Sequence, residues 1–170
     1  DRVNDVARGL IALGVQAGDK VAVLATNVPQ WLLLELAVPK IGAVLVTANT
    51  AYKSHEAEYL LRQSDTHTLI MIESCLDSDY KAIISELCPE MNSVKPGESL
   101  HCKRLPFLRN IITVGFKLPG CLTFPEAMER ASMVSSEEVA RMASLVRPDD
   151  VCNMQYTSGT TGFPKGVMLT

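Results

Sequence analysis

The sequence lacks a long apolar run, an excess of positive charge and a secretory signal. No apolar stretch reaches the ~18 residues of a membrane-spanning helix. The run Trp31–Val38 is interrupted by Glu35 and closed by Pro39. The net charge of −3 favours neither nucleic acid nor an anionic membrane as a partner. We therefore predict no transmembrane segment and no nucleic-acid partner.

Closely spaced metal ligands are also absent from the sequence. The five cysteines are odd in number and scattered, with no Cys-x-x-Cys pair: Cys75, Cys88, Cys102, Cys121 and Cys152. The three histidines, His55, His67 and His101, show no ligand spacing with one another or with the cysteines. This pattern predicts reduced thiols, a cytoplasmic location and no metal site in this chain.

Hydrophobic runs and helical periodicities alternate along the 170 residues, whose hydrophobic content of 47% is ordinary for a globular domain. Strands are predicted at 20–26, 43–47, 68–72, 110–114, 151–155 and 166–170. Helices are predicted at 2–13, 29–41, 55–63, 79–88, 124–131 and 136–145. This alternation predicts an α/β fold with a mostly parallel, doubly wound sheet and helices on both faces.

Some local features of the helices can also be predicted. Ser54 is expected to cap the third helix, and Ser135 with Glu138 forms a capping box before the sixth. Pro39 is expected to kink the second helix or end it early. The buried face of that second helix is expected to contain Trp31, Leu32, Leu34 and Leu36.

The strongest chemical signal is the segment Tyr156–Lys165, which combines five hydroxyl side chains, two glycines and a lysine between two predicted strands. Glycine lets the backbone approach a ligand closely. Successive backbone N–H groups in such turns form an anion site, and a lysine adds positive charge. The segment therefore predicts a polyanion site. It is not a Walker A loop, because Pro164 precedes Lys165 and Gly166 follows it.

The order of residues 157–166, Thr-Ser-Gly-Thr-Thr-Gly-Phe-Pro-Lys-Gly, resembles the phosphate-binding loop of the adenylate-forming (AMP-binding) enzymes. Every fixed position of the family pattern, Thr-Ser-Gly-Ser/Thr-Thr-Gly-x-Pro-Lys-Gly, is matched. Residues 7–49 are similar to the N-terminal subdomain of acyl-CoA synthetases. The segment 88–106 looks most like the medium-chain fatty-acyl branch.

This resemblance implies that residues 1–170 are a partial N-terminal AMP-binding domain with a truncated acyl-CoA synthetase-like fold, ending just after the phosphate-binding loop at 156–166. The implied phosphate-binding residues are Thr157, Ser158, Gly159, Thr160, Thr161, Gly162 and Lys165. Lys165 is also the implied catalytic residue, which neutralises charge as pyrophosphate leaves.

The implied function is that of an acid-thiol ligase. Such an enzyme activates a carboxylic acid, here a fatty acid, as an acyl-adenylate and transfers it to coenzyme A. The implied small molecules are ATP, the carboxylic acid, coenzyme A and Mg²⁺, with the acidic ligand for Mg²⁺ expected outside this chain. Asp1 opens directly into helical periodicity without an initiator methionine. We therefore expect a piece of a longer protein, inactive by itself.

Alternatives stay open at this point. The chain could be a non-catalytic nucleotide- or phosphate-binding module, or part of an adenylation domain that acts on an aryl or amino acid. A homodimer is also compatible with the sequence. The adjacent carboxylates Glu137-Glu138 and Asp149-Asp150 suggest an acid–base or metal site, but neighbouring residues do not converge on one point in a helix. We interpret them as solvated.

Overall fold

A seven-stranded sheet with helices on both faces forms the centre of the structure, a computed structural model that describes residues 2–157 and 164–170. The strands are β1 Lys20–Leu24, β2 Val44–Thr47, β3 Thr66–Ile72, β4 Ser74–Cys75, β5 Ser78–Asp79, β6 Asn110–Val114, β7 Leu122–Thr123, β8 Asn153–Thr157 and β9 Lys165–Leu169. The helices are α1 Arg2–Ala12, α2 Pro29–Lys40, α3 Ser54–Gln63, α4 Tyr80–Leu87, α5 Phe124–Glu129 and α6 Ser136–Leu145, with 3₁₀ turns at Pro89–Ser93 and Arg130–Met133. None of these helices is both long and apolar enough to span a bilayer.

The order of the strands in the main sheet is β7-β6-β3-β1-β2-β8-β9. Every neighbouring pair is parallel except β8 and β9, which pair antiparallel at one edge. The short strands β4 and β5 form a separate antiparallel hairpin. The predicted mostly parallel, doubly wound sheet is confirmed, and one antiparallel strand is added at its edge.

Alternation of side chains along the central strands builds two cores, one on each face of the sheet. Val21 and Val23 face one core together with residues of α1, α2, α5 and α6. Ala22 and Leu24 face the other core together with residues of α3 and α4. Because both faces are covered, β1 and β2 are nearly all apolar, as the sequence predicted, with Lys20 and Thr47 as the exceptions at their ends.

The buried face of α2 differs from the predicted one. Leu34 is 1% exposed and contacts the sheet-side core with Ala37 and Val38, whereas Leu32 and Leu36 are 61% and 51% exposed. The positions 34, 37 and 38 have the i, i+3, i+4 spacing of a single helical face. The helix is apolar nearly all round, so its sequence pattern could not identify the side that meets the sheet. It continues past Pro39 and ends at Lys40.

The predicted cap of α3 is also corrected. Lys53 is the N-cap residue, and Ser54 is the first residue of the helix. The Glu56 carboxylate accepts a hydrogen bond from the Lys53 backbone N–H at 3.2 Å. The Ser54 hydroxyl instead donates to Glu86 Oε2 of α4 at 2.8 Å. The Ser54 hydroxyl, which was predicted to cap α3, therefore forms a contact between α3 and α4. At α6 the N-cap half of the predicted capping box is confirmed, since Ser135 Oγ accepts from the Glu138 backbone N–H. The reciprocal half is not formed, because the Glu138 carboxylate accepts from Arg141 instead.

Candidate phosphate-binding site

The strands β8 and β9 place two of the predicted phosphate-binding residues opposite each other. Thr157, the last residue of β8, pairs with Lys165, the first residue of β9. Both lie within strands, so the strands extend further into the predicted loop 156–166 than the sequence suggested. Directly opposed residues of an antiparallel pair carry their side chains on the same face, with Cβ atoms about 5 Å apart. Thr157 and Lys165 therefore present a hydroxyl and an ammonium side by side.

The remaining predicted residues of the site lie outside the described residues. These are Ser158, Gly159, Thr160, Thr161 and Gly162. They belong to the segment that connects β8 to β9 in the sequence. Their assignment to phosphate binding therefore remains a prediction.

Thr157 lies at the C-terminal edge of the parallel sheet. The strand β2 pairs with β8 in parallel, and the last residue of this ladder is Gln155, opposite Thr47. Thr157 thus extends beyond the end of β2, at the edge where the strands β1, β3 and β6 also end. Open α/β sheets bind ligands at this edge. Thr157 is itself the last residue of β8, and the placement of the phosphate loop beyond this strand remains a prediction.

The charge of Lys165 is available to a ligand. Thr157 and Lys165 are both exposed. Within residues 2–157 and 164–170, no acidic side chain forms an ion pair with Lys165. An exposed ammonium without an acidic partner is suited to an incoming anion, because no existing ion pair has to be broken.

A hydrogen bond from α3 holds the chain just before Lys165. The Tyr59 hydroxyl donates to the backbone carbonyl oxygen of Pro164 at 3.1 Å, across a sequence separation of 105 residues. Pro164 is half-buried and immediately precedes β9. Sequence reasoning missed Tyr59, because no local pattern connects a helix residue with a loop so far along the chain.

The opposite face of the same hairpin packs tightly. Tyr156 is half-buried against the core that contains α3 and α4, and burial raises the pKa of its hydroxyl to about 12. Gly166 lies opposite Tyr156 in the ladder. A Cβ atom at position 166 would stand 3.1 Å from Met154 Sδ and 3.2 Å from Tyr156 Cζ. The last glycine of the motif therefore has a packing role, and core packing for Tyr156 is confirmed.

A large cavity lies at the other end of the sheet. It has a volume of about 620 Å³ and is lined by residues that include Val15, Gly18, Val44, Met142 and Leu145. Val44 is the first residue of β2, and Val15 and Gly18 precede β1. The cavity therefore belongs to the N-terminal edge of the sheet and is separate from Thr157 and Lys165.

The carboxylate pairs take part in local structure. Glu138 forms a two-pronged contact with Arg141, with N–O distances of 2.7 and 2.8 Å. Asp150 accepts a hydrogen bond from the Arg147 backbone N–H at 2.8 Å and closes a turn. All four residues of the two pairs are at the surface or half-buried. These contacts support the interpretation of the pairs as solvated structural groups.

Fold and sequence together define a class: an open α/β sheet whose strand β8 is followed in the sequence by hydroxyl-bearing residues, glycines and a lysine that are predicted to bind phosphate. The AMP-binding enzyme family matches residues 1–170 of the sequence. The chain belongs to this family, and the resemblance drawn from residues 157–166 is confirmed.

Individual relatives agree with this assignment. The chain is 46% identical over 165 residues to YngI of Bacillus subtilis (strain 168), which is provisionally named an acyl-CoA synthetase. This match covers 96% of this chain and 30% of YngI. It is 33% identical to the mitochondrial medium-chain acyl-CoA ligase ACSF2 of Macaca fascicularis, with 100% of this chain and 28% of that protein covered.

Among solved structures, the anthranilate CoA ligase AuaEII in complex with anthranoyl-AMP superimposes with a TM-score of 0.73 at 27% identity. The match covers 98% of this chain and 28% of AuaEII. The chain thus spans less than a third of the length of these relatives.

Proposed function

We propose that this chain supplies the ATP phosphate-binding element of an AMP-forming acyl-CoA synthetase. The observation that carries the proposal is the placement of Thr157 and Lys165 on one face at the C-terminal edge of the sheet. They flank a segment whose order matches the family motif. Membership of the AMP-binding enzyme family supports the same conclusion.

The proposed reaction has two steps. A carboxylate oxygen of the acid attacks the α-phosphorus of ATP, the bond from this phosphorus to the bridging oxygen breaks, and pyrophosphate leaves with the electron pair. The thiol of coenzyme A then attacks the acyl carbon of the adenylate, loses its proton and releases AMP. Negative charge grows on the leaving pyrophosphate in the first step, so donors already in place stabilise the transition state.

Within this scheme Lys165 neutralises the departing pyrophosphate, and Thr157 donates a hydrogen bond to a phosphate oxygen. Ser158, Gly159, Thr160, Thr161 and Gly162 complete the β- and γ-phosphate contacts. A hydrogen bond to a charged group contributes roughly 1.5–3 kcal/mol. A few such contacts are sufficient to hold the phosphates while the acid is activated.

We infer that the substrate is a fatty acid. The relative ACSF2 is named a medium-chain acyl-CoA ligase and is 33% identical to this chain, whereas the anthranilate ligase AuaEII is 27% identical. An aryl-acid ligase is the second candidate, supported by the TM-score of 0.73 to AuaEII. The exchange experiment below includes both classes of acid.

Further elements of the proposal concern the whole protein. Mg²⁺ is expected as the counter-ion of ATP, with its carboxylate ligand outside residues 1–170. A cytoplasmic location is proposed from five free thiols, although ACSF2 is named a mitochondrial protein. A homodimer also remains a proposal, which the sedimentation of the purified protein would test.

The experiment is acid-dependent exchange of labelled pyrophosphate into ATP by the full-length protein that carries this chain. Fatty acids of several lengths, anthranilate and amino acids would be compared. We expect fatty acids to support exchange and Lys165→Ala to lower the rate by about 13- to 160-fold, the factor that corresponds to 1.5–3 kcal/mol.

Lys95→Ala is the matched control, since Lys95 is an exposed lysine in the segment between α4 and β6. It should leave the exchange rate unchanged. Exchange driven by an aromatic or amino acid would transfer the assignment to that class. No exchange with any acid, from a folded protein, would refute the ligase and leave a phosphate-binding module.

A further inference from the structure

Three groups of the kind that bind soft metal ions meet where α4 ends. Cys88 Sγ, Cys102 Sγ and a carboxylate oxygen of Glu90 all lie within 4.8 Å of one another. Cys88 and Cys102 are 0% and 3% exposed, and Glu90 is half-buried. The cluster lies on the α3–α4 side of the sheet and forms part of that core. It is separate from Thr157 and Lys165.

Backbone contacts hold two distant segments together at the cluster. The Cys102 thiol donates to the carbonyl oxygen of Leu87, the last residue of α4, at 3.1 Å and across a separation of 15 residues. Glu90 Oε1 accepts from the backbone N–H of Lys103 at 3.3 Å. The positions of all three groups therefore depend on ordered backbone. Cys88 and Cys102 show no metal-ligand spacing in the sequence because it is the fold that brings them together.

The second carboxylate oxygen of Glu90 can accept a further contact. Glu90 Oε2 is buried and has no hydrogen-bond partner among the described residues. Buried polar atoms nearly always have a partner, and an exception points to a water or an ion. The carboxylate of Glu90 is within reach of both thiols.

We propose that Cys88, Glu90 and Cys102 form a binding site for Zn²⁺. Zinc binds thiolate sulfur at about 2.3 Å and carboxylate oxygen at about 2.0–2.2 Å, in tetrahedral geometry. Ligand atoms in such a site stand roughly 3.5–4 Å apart, which is compatible with their mutual separation of less than 4.8 Å. On binding, the two thiols release their protons to solvent and each sulfur donates an electron pair to the metal.

The types of ligand favour zinc over other cations. Two thiolates exclude Mg²⁺ and Ca²⁺, which prefer oxygen ligands. A carboxylate beside the thiolates distinguishes the site from the all-sulfur sites suited to Cu(I). A disulfide between Cys88 and Cys102 is the competing explanation for the close thiols, but it would leave Glu90 Oε2 without a partner. Zinc accounts for all three groups.

The test uses the full-length protein, reduced and stripped of metal with a chelator. Zinc affinity is measured by competition with a chromophoric chelator, and Co²⁺ serves as the spectroscopic probe of the same site. We expect one thiolate-ligated, tetrahedral Co²⁺ with intense near-ultraviolet charge-transfer bands, displaced by Zn²⁺. Cys88→Ser and Cys102→Ser should each abolish the bands, and Glu90→Gln should weaken zinc binding by at least about tenfold.

Cys121→Ser is the matched control, because Cys121 is a buried free cysteine outside the cluster. It should retain the bands and the affinity. Circular dichroism would verify the folding of each variant. If the cysteine variants do not fold, the comparison of the unaltered protein with Glu90→Gln still decides, by affinity and by the rise in Tm on zinc addition. Failure of the reduced, folded protein to bind Co²⁺ through thiolates would overturn the proposal. An equal loss of the charge-transfer bands in Cys121→Ser would also overturn it. A Cys88–Cys102 disulfide in a protein that binds no zinc after reduction would overturn it as well.

Discussion

Replacement of Tyr59 by phenylalanine tests whether the fold, and not only the motif, prepares the phosphate site. The substitution removes the hydroxyl that donates to the Pro164 carbonyl at 3.1 Å, and it keeps the ring in place. A single neutral hydrogen bond contributes about 0.5–1.5 kcal/mol net. This free energy corresponds to a factor of roughly 2 to 13 in an equilibrium constant.

The expected effect on ATP follows from this magnitude. Without the hydrogen bond, the conformation that presents Lys165 is less favoured relative to its alternatives, and apparent affinity falls with the population of the competent state. We therefore expect Tyr59→Phe to raise the KM for ATP in pyrophosphate exchange by roughly twofold to tenfold. The KM for the acid should change little, because the bond lies next to the proposed phosphate-binding segment.

The matched control is Tyr52→Phe. Tyr52 is a half-buried tyrosine that packs against the same core as Tyr156, and within residues 2–157 and 164–170 its hydroxyl forms no hydrogen bond. Burial, followed by the charge of Glu56, raises the pKa of this hydroxyl. An equal change of the ATP KM in both variants would refute the anchoring role of Tyr59. A change well above tenfold in Tyr59→Phe would show that the hydroxyl contacts nucleotide directly.

Three further predictions concern packing and charge. Gly166→Ala should cost about 1–3 kcal/mol of unfolding free energy, measured by denaturant titration, because its new Cβ crowds two side chains. Leu34→Ala should cost about 2–5 kcal/mol and Leu36→Ala about 0–0.5 kcal/mol, since only Leu34 is buried. The pKa of Glu58 is lowered, chiefly by the hydrogen bond from Arg104. The ionised carboxylate therefore stabilises the fold at pH values above the ordinary carboxyl pKa near 4.5. This stabilisation is lost as the pH falls through the lowered pKa. Glu58→Gln should therefore flatten the acid limb of a plot of stability against pH.

Each of these predictions has an outcome that contradicts it. A Gly166→Ala protein as stable as the unaltered one would show that Met154 and Tyr156 move aside without cost. Equal losses for Leu34→Ala and Leu36→Ala would contradict the observed orientation of α2. An acid limb unchanged in Glu58→Gln would mean that the pair with Arg104 contributes nothing to stability.

Local sequence patterns predicted most of the regular structure. The strand β6 has the predicted bounds 110–114, and β1 lies within the predicted 20–26. Such runs are informative because strands covered on both faces are apolar at most of their positions. The same logic failed for α2, where apolar residues on all sides leave no polar face to indicate orientation. It failed for Ser54 because its hydroxyl bonds to Glu86, a partner that only the packing of α3 on α4 provides.

The candidate phosphate-binding segment was recognisable because residues 157–166 combine glycines suited to close approach, hydroxyls suited to hydrogen bonds and a lysine that adds charge. The sequence by itself determined this segment, the alternation of strands and helices and the family. The tertiary structure alone decided which strands are neighbours, that Tyr59 reaches Pro164 and that Cys102 meets Cys88. The physical reason is that backbone propensity and periodicity act over a few neighbouring residues. Contacts between distant residues depend on which faces the packed sheet buries against each other.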